Sequence, residues 1–390
     1  MAGGVTWPYH RLLDRIDRGL EAGAIDATLP DGTRRLLGGR ADGPVPVVRL
    51  HRWRALRRLA TAGSIGWYEA WAAGDWSSPD PVPLFDLFMR NRVPLGRSAR
   101  AGPVVKAAAR AWHWLRRNHR EGARRNIAAH YDLGNDFYRE WLDPGLTYSS
   151  AMFAGAETLE AGQDRKLRSV LERTGTQAGD TILEIGCGWG SFAALAAGEG
   201  RRVHALTLSA EQKAIVDALS LPHVTTSLTD YRDVTGEYDA VASIEMVEAV
   251  GQRYWGAYLD AIARVLKPGG RAAIQYISIA DDVFPAYATG VDFIQRHVFP
   301  GGMLLSDSRF RALAEARGFA WTDHKGFGLD YAKTLRLWRE RFDAAVAEGR
   351  LPARFDPRFV ALWRYYLMYC EGGFRGGGID VAQVTLIRSM

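Results

Sequence analysis

An acidic residue followed by three glycines at alternate positions forms the stretch of this sequence that most clearly predicts ligand binding. Glu184 lies two residues before Gly186, and Gly188 and Gly190 follow. Glycines let a backbone turn sharply and approach a ligand closely, because they carry no side chain. The apolar run 181–185 precedes them and an alanine-rich stretch follows, as in the nucleotide-binding corner of a doubly wound sheet. A carboxylate beside this turn favours a ligand with a cationic group over a bare pyrophosphate.

Two further acids, Glu245 and Glu248, follow the apolar run 238–244, which predicts another buried strand. A helical turn beginning there would present both acids on one face, because they are three residues apart. Acids are favoured in the first turn of any helix. Ligands of doubly wound sheets, however, bind at the carboxyl ends of the strands. Both acids therefore fall at the expected site, where a carboxylate can accept a proton.

Alternating strands and helices must position these residues, and they predict an α/β fold. Helix 163–174 leads into the first strand, strand 202–208 follows the glycine turn, and strands 272–277 and 381–388 come later. Helix 310–318 lies between the last two, after a lid-like insertion at 292–304. Ser209 and Gln212 predict a capping box, in which each side chain bonds the other residue's backbone amide.

Residues 1–120 predict a small α+β domain without a catalytic constellation. They contain a helix at 9–20, a hairpin turn at Asp31-Gly32, a strand at 45–50, and helices at 52–62 and 67–74. The stretch 106–120 predicts a basic helix with tryptophans. Such a helix can lie in a lipid interface or pack against the neighbouring domain, and the sequence favours neither.

The segments 130–138 and 147–153 are dense in polar and aromatic residues. Together with the Glu-x-Gly-x-Gly-x-Gly motif and the turn at 266–270, they resemble the cyclopropane-fatty-acyl-phospholipid synthases and mycolic acid cyclopropane synthases. The resemblance covers residues 125–390 and is loose before residue 120. It implies a class I methyltransferase (Rossmann-like) fold with a seven-stranded sheet and helical lid insertions over residues 121–390. A smaller N-terminal α+β domain, membrane- or dimer-associated, would occupy residues 1–120.

The resemblance also implies S-adenosylmethionine as the cofactor, and we expect no metal ligand. Thr207 stands where most class I enzymes place an acid for the ribose, and Tyr231 would flank the adenine ring. The positions that match the family's cofactor site are Tyr148, Ser149, Glu184, Gly186, Gly188, Gly190, Thr207, Gln212, Asp230 and Tyr231.

The family's chemistry attacks a carbon–carbon double bond in an acyl chain. Methyl transfer leaves a carbocation, which aromatic faces can stabilise; the candidates are Tyr131, Phe137, Tyr331 and Trp338. A base must then remove a proton. In the cyclopropane synthases this base is assigned to a bicarbonate held by cysteine, glutamate, histidine and tyrosine. The corresponding residues here are Glu248, Tyr331, Ser150 in place of the cysteine, Gln275 in place of the histidine, and Cys370, which matches a further cysteine of some members.

Glu245 stands where the family usually has glycine. We hypothesise that its carboxylate replaces the bicarbonate, supplying the basic oxygens and repelling the free anion through like charge. The product depends on which proton leaves. Loss from the transferred methyl closes a cyclopropane, which is the family's commonest outcome and the first expectation. Loss from a neighbouring carbon gives a methylene or methyl-branched chain.

Other functions are weaker alternatives. Some plant alkaloid N-methyltransferases share the fold, so a small-molecule N-methyltransferase is one of them. A non-catalytic lipid- or cofactor-binding protein is disfavoured by the intact cofactor motif and the two acids. Nucleic acid is not an expected partner, because the chain has neither an Asn-Pro-Pro-Tyr motif nor a cysteine-nucleophile motif.

The composition constrains the surroundings in which the protein works. The chain has 390 residues, 47% of them hydrophobic and 24% charged, with a formal net charge of +6. This balance favours peripheral contact with an anionic membrane, whose phospholipids would supply the unsaturated acyl chains. Two cysteines make no disulfide framework, and neither a signal peptide nor a membrane span is expected. We therefore expect a cytoplasmic protein at the inner face of the membrane, and the resemblance implies that it can form a homodimer.

Overall fold

Short apolar runs of the chain form the strands of two sheets. The computed structural model describes residues 7–96, 133–155 and 157–390. Its strands are β1 (Ala24–Thr28), β2 (Arg34–Gly38), β3 (Val47–Leu50), β4 (Trp76–Ser77), β5 (Thr181–Ile185), β6 (Arg202–Thr207), β7 (Val224–Leu228), β8 (Tyr238–Ile244), β9 (Leu266–Ile279), β10 (Phe319–Gly326) and β11 (Ile379–Arg388).

Helices connect these strands, and many begin at a side-chain cap. Thr158, Ser306 and Asp356 each accept a hydrogen bond from an amide three residues later. The helices are α1 (Trp7–Gly19), α2 (Arg54–Ala72), α3 (Val82–Arg90), α4 (Arg92–Leu95), α5 (Asn135–Arg139), α6 (Leu159–Thr174), α7 (Ser191–Gly198), α8 (Ala210–Ala218), α9 (Trp255–Val265), α10 (Phe284–Tyr287), α11 (Phe293–His297), α12 (Asp307–Glu315), α13 (Gly328–Ala347) and α14 (Pro357–Arg375). None of the described helices combines the length and apolarity needed to cross a bilayer.

The first compact unit contains the described N-terminal residues and two later segments, 282–300 and 352–379. Its sheet has the order β2-β1-β3-β4, and β1 and β2 form the antiparallel hairpin predicted at Asp31-Gly32. The two helices predicted at 52–62 and 67–74 belong to α2, which is kinked at Gly63, where φ is +58°. A Cβ on Gly372 would come within 2.4 Å of the Phe85 Cβ, so this glycine lets α14 approach α3 closely.

Among the residues that the structure describes, the second unit contains 133–281 apart from 156, 301–351 and 380–390. Within the described residues its sheet has seven strands in the order β10-β11-β9-β8-β5-β6-β7, which confirms the predicted fold class. Strands β6, β5, β8 and β9 pair in parallel, and β10 and β11 pair antiparallel. The strand order reverses between β5 and β8, which places the ligand crevice of such a sheet at their carboxyl ends. The glycine turn and Glu245 both lie there.

The division into units differs from the contiguous boundary predicted near residue 120. Residues 282–300 and 352–379 pack with the N-terminal unit, although they follow the cofactor motif in sequence. The predicted lid at 292–304 is therefore divided between the two units, with α11 in the first. The predicted basic helix 106–120 lies outside the described residues, as does Tyr131.

Trp338 lies at the centre of an aromatic cluster, and its removal is expected to destabilise the fold. Its side chain is fully buried in α13, with ring centroids 5.6 Å from Trp141 and 5.4 Å from Tyr148. Trp338→Ala should lower the free energy of unfolding by about 3–5 kcal/mol, because it leaves a large cavity. Denaturant unfolding measures this loss. Leu329→Ala, at a residue of the same helix that is 71% exposed, is the matched control and should have little effect.

Candidate active site

The glycine turn after β5 is fixed to the neighbouring strand. The amides of Gly186 and Cys187 both donate to the Leu206 carbonyl of β6, at 3.0 and 2.9 Å. A Cβ on Gly186 would lie 2.9 Å from Met246, whereas a Cβ on Gly188 would meet nothing within 4 Å. The φ angles of Gly186, Gly188 and Gly190 are +85°, +52° and +89°, which disfavour any other residue. The turn therefore has the geometry of a ligand cradle, with open space beside Gly188.

Glu184 supplies an acceptor beside this cradle. Its side chain is buried, and its Oε2 has no hydrogen-bond partner among the described residues. Burial raises the pKa of Glu184 to about 8, although the charge of Lys166 opposes this shift. An unsatisfied buried carboxylate oxygen is costly unless a ligand pairs with it. A cationic ligand group would satisfy Glu184, which fits the amino-acid tail of S-adenosylmethionine.

Gln212 supplies an unpaired donor at the end of β6. Its Oε1 accepts a hydrogen bond from the Thr207 hydroxyl at 2.8 Å, while its buried Nε2 has no partner among the described residues. Only half of the predicted capping box forms. Ser209 caps the Gln212 amide at 3.2 Å, but the Gln212 side chain binds Thr207 instead of reaching back. The free amide donor fits a ribose hydroxyl.

The residues predicted to contact adenine have protein partners of their own. Asp230 forms a two-pronged ion pair with Arg232, whose Nε and Nη2 lie 2.8 and 2.5 Å from its oxygens. Tyr231 is buried and packs edge-on against Tyr258, with ring centroids 5.6 Å apart. Arg232 therefore holds Asp230 in a fixed orientation, and the adenine contacts themselves stay a prediction.

The segment expected to close over the cofactor is anchored in the second unit. The Ser149 hydroxyl accepts a hydrogen bond from Lys166 Nζ at 2.6 Å. Tyr148 packs against Tyr138, with ring centroids 5.5 Å apart. Phe137 and Trp338, two candidates for stabilising a carbocation, are fully buried core residues. Of the described candidates for stabilising a carbocation, Tyr331 makes a hydrogen bond to another candidate site residue, Glu245.

Three hydrogen-bond donors converge on the carboxylate of Glu245 at the end of β8. The Ser150 amide and Gln275 Nε2 donate to Oε1 at 2.9 and 2.8 Å, and the Tyr331 hydroxyl donates to Oε2 at 2.7 Å. Burial raises the pKa of Glu245, while these donors and the charge of Lys166 lower it. These three donors hold the carboxylate firmly, and the residue as a whole has intermediate exposure.

The backbone of Glu245 adopts a conformation suited to glycine. Its φ is +49°, in the left-handed region that residues with a Cβ disfavour by about 1–2 kcal/mol. A glycine at this position would adopt the same conformation without strain. The φ of Glu245 also shows that a strained residue is kept at the edge of the candidate site, where strain often accompanies function.

Glu248 lies next to this carboxylate and is held differently. Its Oε1 accepts a hydrogen bond from the Ile277 amide, and its buried Oε2 has no partner among the described residues. Burial, and secondly the charge of Glu245, raise the pKa of Glu248 to about 8. Of two neighbouring carboxyls, Glu248 is therefore the one that holds a proton near neutral pH, while the donors around Glu245 favour its ionised form.

The structure brings together four of the six predicted catalytic residues through direct hydrogen bonds: Glu245, Gln275, Tyr331 and Ser150. Ser150 takes part through its amide, because its hydroxyl donates to the Ala151 carbonyl at 2.8 Å. Cys370 lies in α14 of the first unit, where burial raises the pKa of its thiol above the ordinary value. The hydrogen-bonded group around Glu245 consists of residues of the second unit.

Sequence reasoning missed Lys166, which is fully buried in α6. Desolvation lowers the pKa of Lys166 to about 8, and the charges of Glu245, Asp143 and Glu184 raise it. Its ammonium group thus lies near both functional carboxylates. The sequence contained one indication, because Lys166 falls at helical spacing on the buried stripe that includes Val170.

Stability is expected to fall as the pH rises from about 5 to 8. Glu184 and Glu248 have folded pKa values of about 8, above the ordinary 4.5, so the folded state binds more protons in this range. Between about pH 8 and 10.5 the lowered pKa of Lys166 has the opposite effect, because the unfolded state then binds more protons, so stability should rise again. Melting temperatures measured across this range test the expectation. The double variant Glu184→Gln/Glu248→Gln should flatten the curve, and a melting temperature that rises with pH in the unmodified protein would contradict it.

Comparisons with known proteins show which family the chain resembles. Residues 118–384 match the family model described as mycolic acid cyclopropane synthetase. The chain is 39% identical over 384 residues to the tuberculostearic acid methyltransferase UfaA1 of Mycobacterium tuberculosis, covering 92% of this chain and 86% of that one. It is 32% identical to the cyclopropane-fatty-acyl-phospholipid synthase of Escherichia coli, covering 90% of each.

Solved structures give the same result. The mycolic acid cyclopropane synthase CmaA1, solved with SAH and CTAB, aligns with a TM-score of 0.64 at 31% identity, over 68% of this chain and 98% of that one. Coclaurine N-methyltransferase aligns with a TM-score of 0.55 at 20% identity, which shows a shared fold alone.

Proposed function

Because the chain belongs to the mycolic acid cyclopropane synthetase family and is an S-adenosylmethionine-dependent methyltransferase, we propose that it methylates a double bond in an unsaturated phospholipid acyl chain. The cofactor, when bound, supplies an electrophilic methyl group. Glu184, Gln212 and the glycine turn would hold it, since they offer an unpaired acceptor, an unpaired donor and an open cradle.

The observation that carries the proposal is the carboxylate of Glu245 with its three donors. In the reaction, the π electrons of the acyl double bond form the new carbon–carbon bond and the carbon–sulfur bond breaks. The acyl chain is then a carbocation, and a proton must leave it. Glu245 takes this proton, because three donors favour the ionised form of its carboxylate and because it lies at the carboxyl edge of the sheet, beside the glycine turn. Tyr331, Gln275 and the Ser150 amide hold it still.

The same carboxylate makes a bound bicarbonate unnecessary. Both oxygens of Glu245 occupy the donors that would otherwise bind an anion, and Glu248 lies beside it. A free anion placed among these groups would meet like charge and find no free donor there. We therefore propose that Glu245 replaces bicarbonate in this enzyme.

We propose an unsaturated methyl-branched or methylene chain as the product. Loss of the proton from the methyl-bearing carbon gives a methyl-branched alkene. A hydride shift from that carbon to the cationic carbon, followed by proton loss from the methyl group, gives the methylene chain, whereas a saturated methyl branch would need a separate hydride donor. A carboxylate fixed to the backbone can accept a proton only from the carbon that faces it, and the 39% identical relative is by name a methyltransferase. Cyclopropane formation, the first expectation from the sequence, is the second candidate and is supported by the 32% identical synthase. The small-molecule N-methyltransferase alternative has support from the fold alone.

The product is tested by incubating the enzyme with methyl-labelled S-adenosylmethionine and unsaturated phospholipid vesicles. Both candidate products gain one CH2, so mass alone does not separate them, and NMR of the released fatty acids is required. Signals of a vinylic methylene, or of a methyl group on a double bond, support the proposal, and cyclopropane signals select the second candidate. The absence of label from every fatty acid, with label in added amines, would overturn acyl methylation.

We also propose that the enzyme works in the cytoplasm, at the surface of an anionic membrane. The chain carries a formal net charge of +6, and one face of the first sheet exposes Leu36 and Val47 near Arg34 and Arg49. Asp26 lies between Leu36 and Val47 on this face and pairs with Arg34 at 2.7 Å. Apolar and basic side chains on one face suit an anionic bilayer. Sedimentation with anionic vesicles, but not with zwitterionic vesicles, is the expected result. A homodimer stays a prediction.

A further inference from the structure

The amide of Gln383, in β11, lies between groups whose hydrogen-bonding direction is fixed. Its Oε1 accepts from Arg173 Nε at 3.0 Å and from the Ser169 hydroxyl at 2.6 Å. Its Nε2 lies 3.4 Å from the Lys166 carbonyl. An arginine can only donate and a carbonyl can only accept. Reversing the fully buried Gln383 amide would therefore place its NH2 group against the donors of Arg173 and Ser169, and its oxygen against the carbonyl oxygen of Lys166.

The direction of Gln383 determines the direction of Gln275. Gln383 Nε2 donates to Gln275 Oε1 at 3.0 Å, so the oxygen of Gln275 is turned towards β11. The NH2 group of Gln275 is thereby turned towards Glu245, to which it donates at 2.8 Å. A glutamine alone could present either end to a carboxylate. Here Arg173 fixes the direction of the Gln383 amide, which in turn fixes the direction of the Gln275 amide.

We propose that Gln383 and Arg173 are positioning residues for the reaction, because they force Gln275 to present a donor to Glu245. This inference deepens the proposed function and rests on Glu245 being the base. A reversed Gln275 would place its carbonyl oxygen against the carboxylate. The ionised form of Glu245 would then lose one of its three donors and gain a repulsive contact, so Glu245 would be protonated at higher pH.

Other charged groups also affect the protonation of Glu245, and the experiment must leave them unchanged. Lys166, Glu248 and Tyr331 act on Glu245 from α6, the segment after β8 and α13. The charges of Asp323 and Glu172 act on Arg173. None of these residues needs to change in order to reverse Gln275, so their charges stay constant. Gln383→Glu adds a negative charge of its own, and Thr385→Glu, which places the same charge beside Arg173 without contacting Gln275, measures that contribution to the shift.

The decisive comparison is Gln383→Glu with Gln383→Met. A glutamate at 383 still accepts from Arg173 and Ser169, but it cannot donate to Gln275, which must turn its NH2 away from Glu245. We expect kcat at neutral pH to fall about tenfold and the acid limb of its pH profile to move up by about one unit. KM for S-adenosylmethionine should change little. Gln383→Met removes the donor without forcing the Gln275 amide to reverse, so the acid limb should move less in this variant.

A matched control and a rescue distinguish positioning from structural damage. Thr385→Val alters a buried side chain of the same strand that Arg173 also contacts, and it should leave the pH profile unchanged. Adding Gln275→His to Gln383→Glu should return the acid limb towards its original position, because a protonated histidine donates to both carboxylates. If Gln383 has only a structural role, Gln383→Met should lower kcat more than Gln383→Glu does. The acid limb of the pH profile should then stay in place in both variants.

The outcomes separate this inference from the proposed function. An acid limb that stays in place in Gln383→Glu, while Glu245→Gln is inactive, overturns the inference and leaves the base assignment standing. Full activity in Glu245→Gln overturns the proposed base itself. Should Gln383→Glu fail to fold, Arg173→Glu replaces the fixed donor with an acceptor at a partly exposed position and should produce the same shift, with Arg173→Met as its control.

Discussion

Replacing Glu245 by glutamine is expected to lower kcat by about 10²–10⁴-fold, the range typical for loss of a general base. Glutamine keeps the size of the side chain but cannot accept a proton from a carbocation. Its amide also places an NH2 group near one of the donors from Ser150, Gln275 and Tyr331. KM for S-adenosylmethionine should stay within a few-fold, because Glu245 is not part of the glycine cradle. Steady-state kinetics with unsaturated phospholipid measures both quantities.

A second substitution at this position tests whether the carboxylate replaces bicarbonate. Glu245→Gly suits the local φ of +49° and leaves the three donors without their carboxylate. This variant should be nearly inactive in buffer stripped of bicarbonate and should recover about tenfold or more when bicarbonate is added. The unmodified enzyme should show no such dependence.

Two results would contradict this assignment. Strong bicarbonate dependence in the unmodified enzyme would show that the anion still binds beside Glu245. Full activity in Glu245→Gln would show that the proton leaves by another route. Melting temperatures of both variants are the control for folding. Glu245→Gly relieves about 1–2 kcal/mol of backbone strain, but it leaves three donors unpaired at about 1–3 kcal/mol each, so its melting temperature should be lower than that of the unmodified protein and should rise when bicarbonate is added.

Replacing Glu184 by glutamine is expected to weaken cofactor binding rather than the chemical step. A hydrogen bond to a charged group contributes about 1.5–3 kcal/mol, so Kd for S-adenosylmethionine should rise about 10–100-fold. The unpaired Oε2 of the buried Glu184 is the atom that loses its charge in this variant. At saturating cofactor, kcat should change far less. Calorimetric titration gives Kd, and Glu172→Gln, at an exposed acid of α6, is the control.

The pH dependence of binding gives an independent reading of the same contact. The pKa of Glu184 is about 8, and a cationic ligand needs its ionised form. Binding should therefore release a proton, and affinity should increase from about pH 6 to pH 8. Titrations in buffers of different ionisation enthalpy count that proton. An affinity that falls over this range, or a Kd unaffected by Glu184→Gln, would show that Glu184 does not face the cofactor's charge.

Local patterns in the sequence were sufficient for the central part of the second unit. The apolar run at β5, the glycines after it and the acids after β8 are short-range features, and their spacing determines strand, turn and ligand edge. Placing Glu245 and Glu248 at the same edge as the glycine turn needed only the rule that parallel strands end on one side of a sheet. The hairpin at Gly32 was equally local.

Tertiary structure decided the features that depend on residues distant in the chain. Lys166 is buried because α6 packs its stripe inwards, and a helical pattern alone cannot show how deeply one member lies. Gln275 faces Glu245 with its NH2 group because Gln383 and Arg173, on other elements, fix its amide. The first unit gathers segments 282–300 and 352–379 from beyond the cofactor motif. Contacts between residues so far apart leave no periodic pattern in a single sequence, because each depends on where a whole element packs.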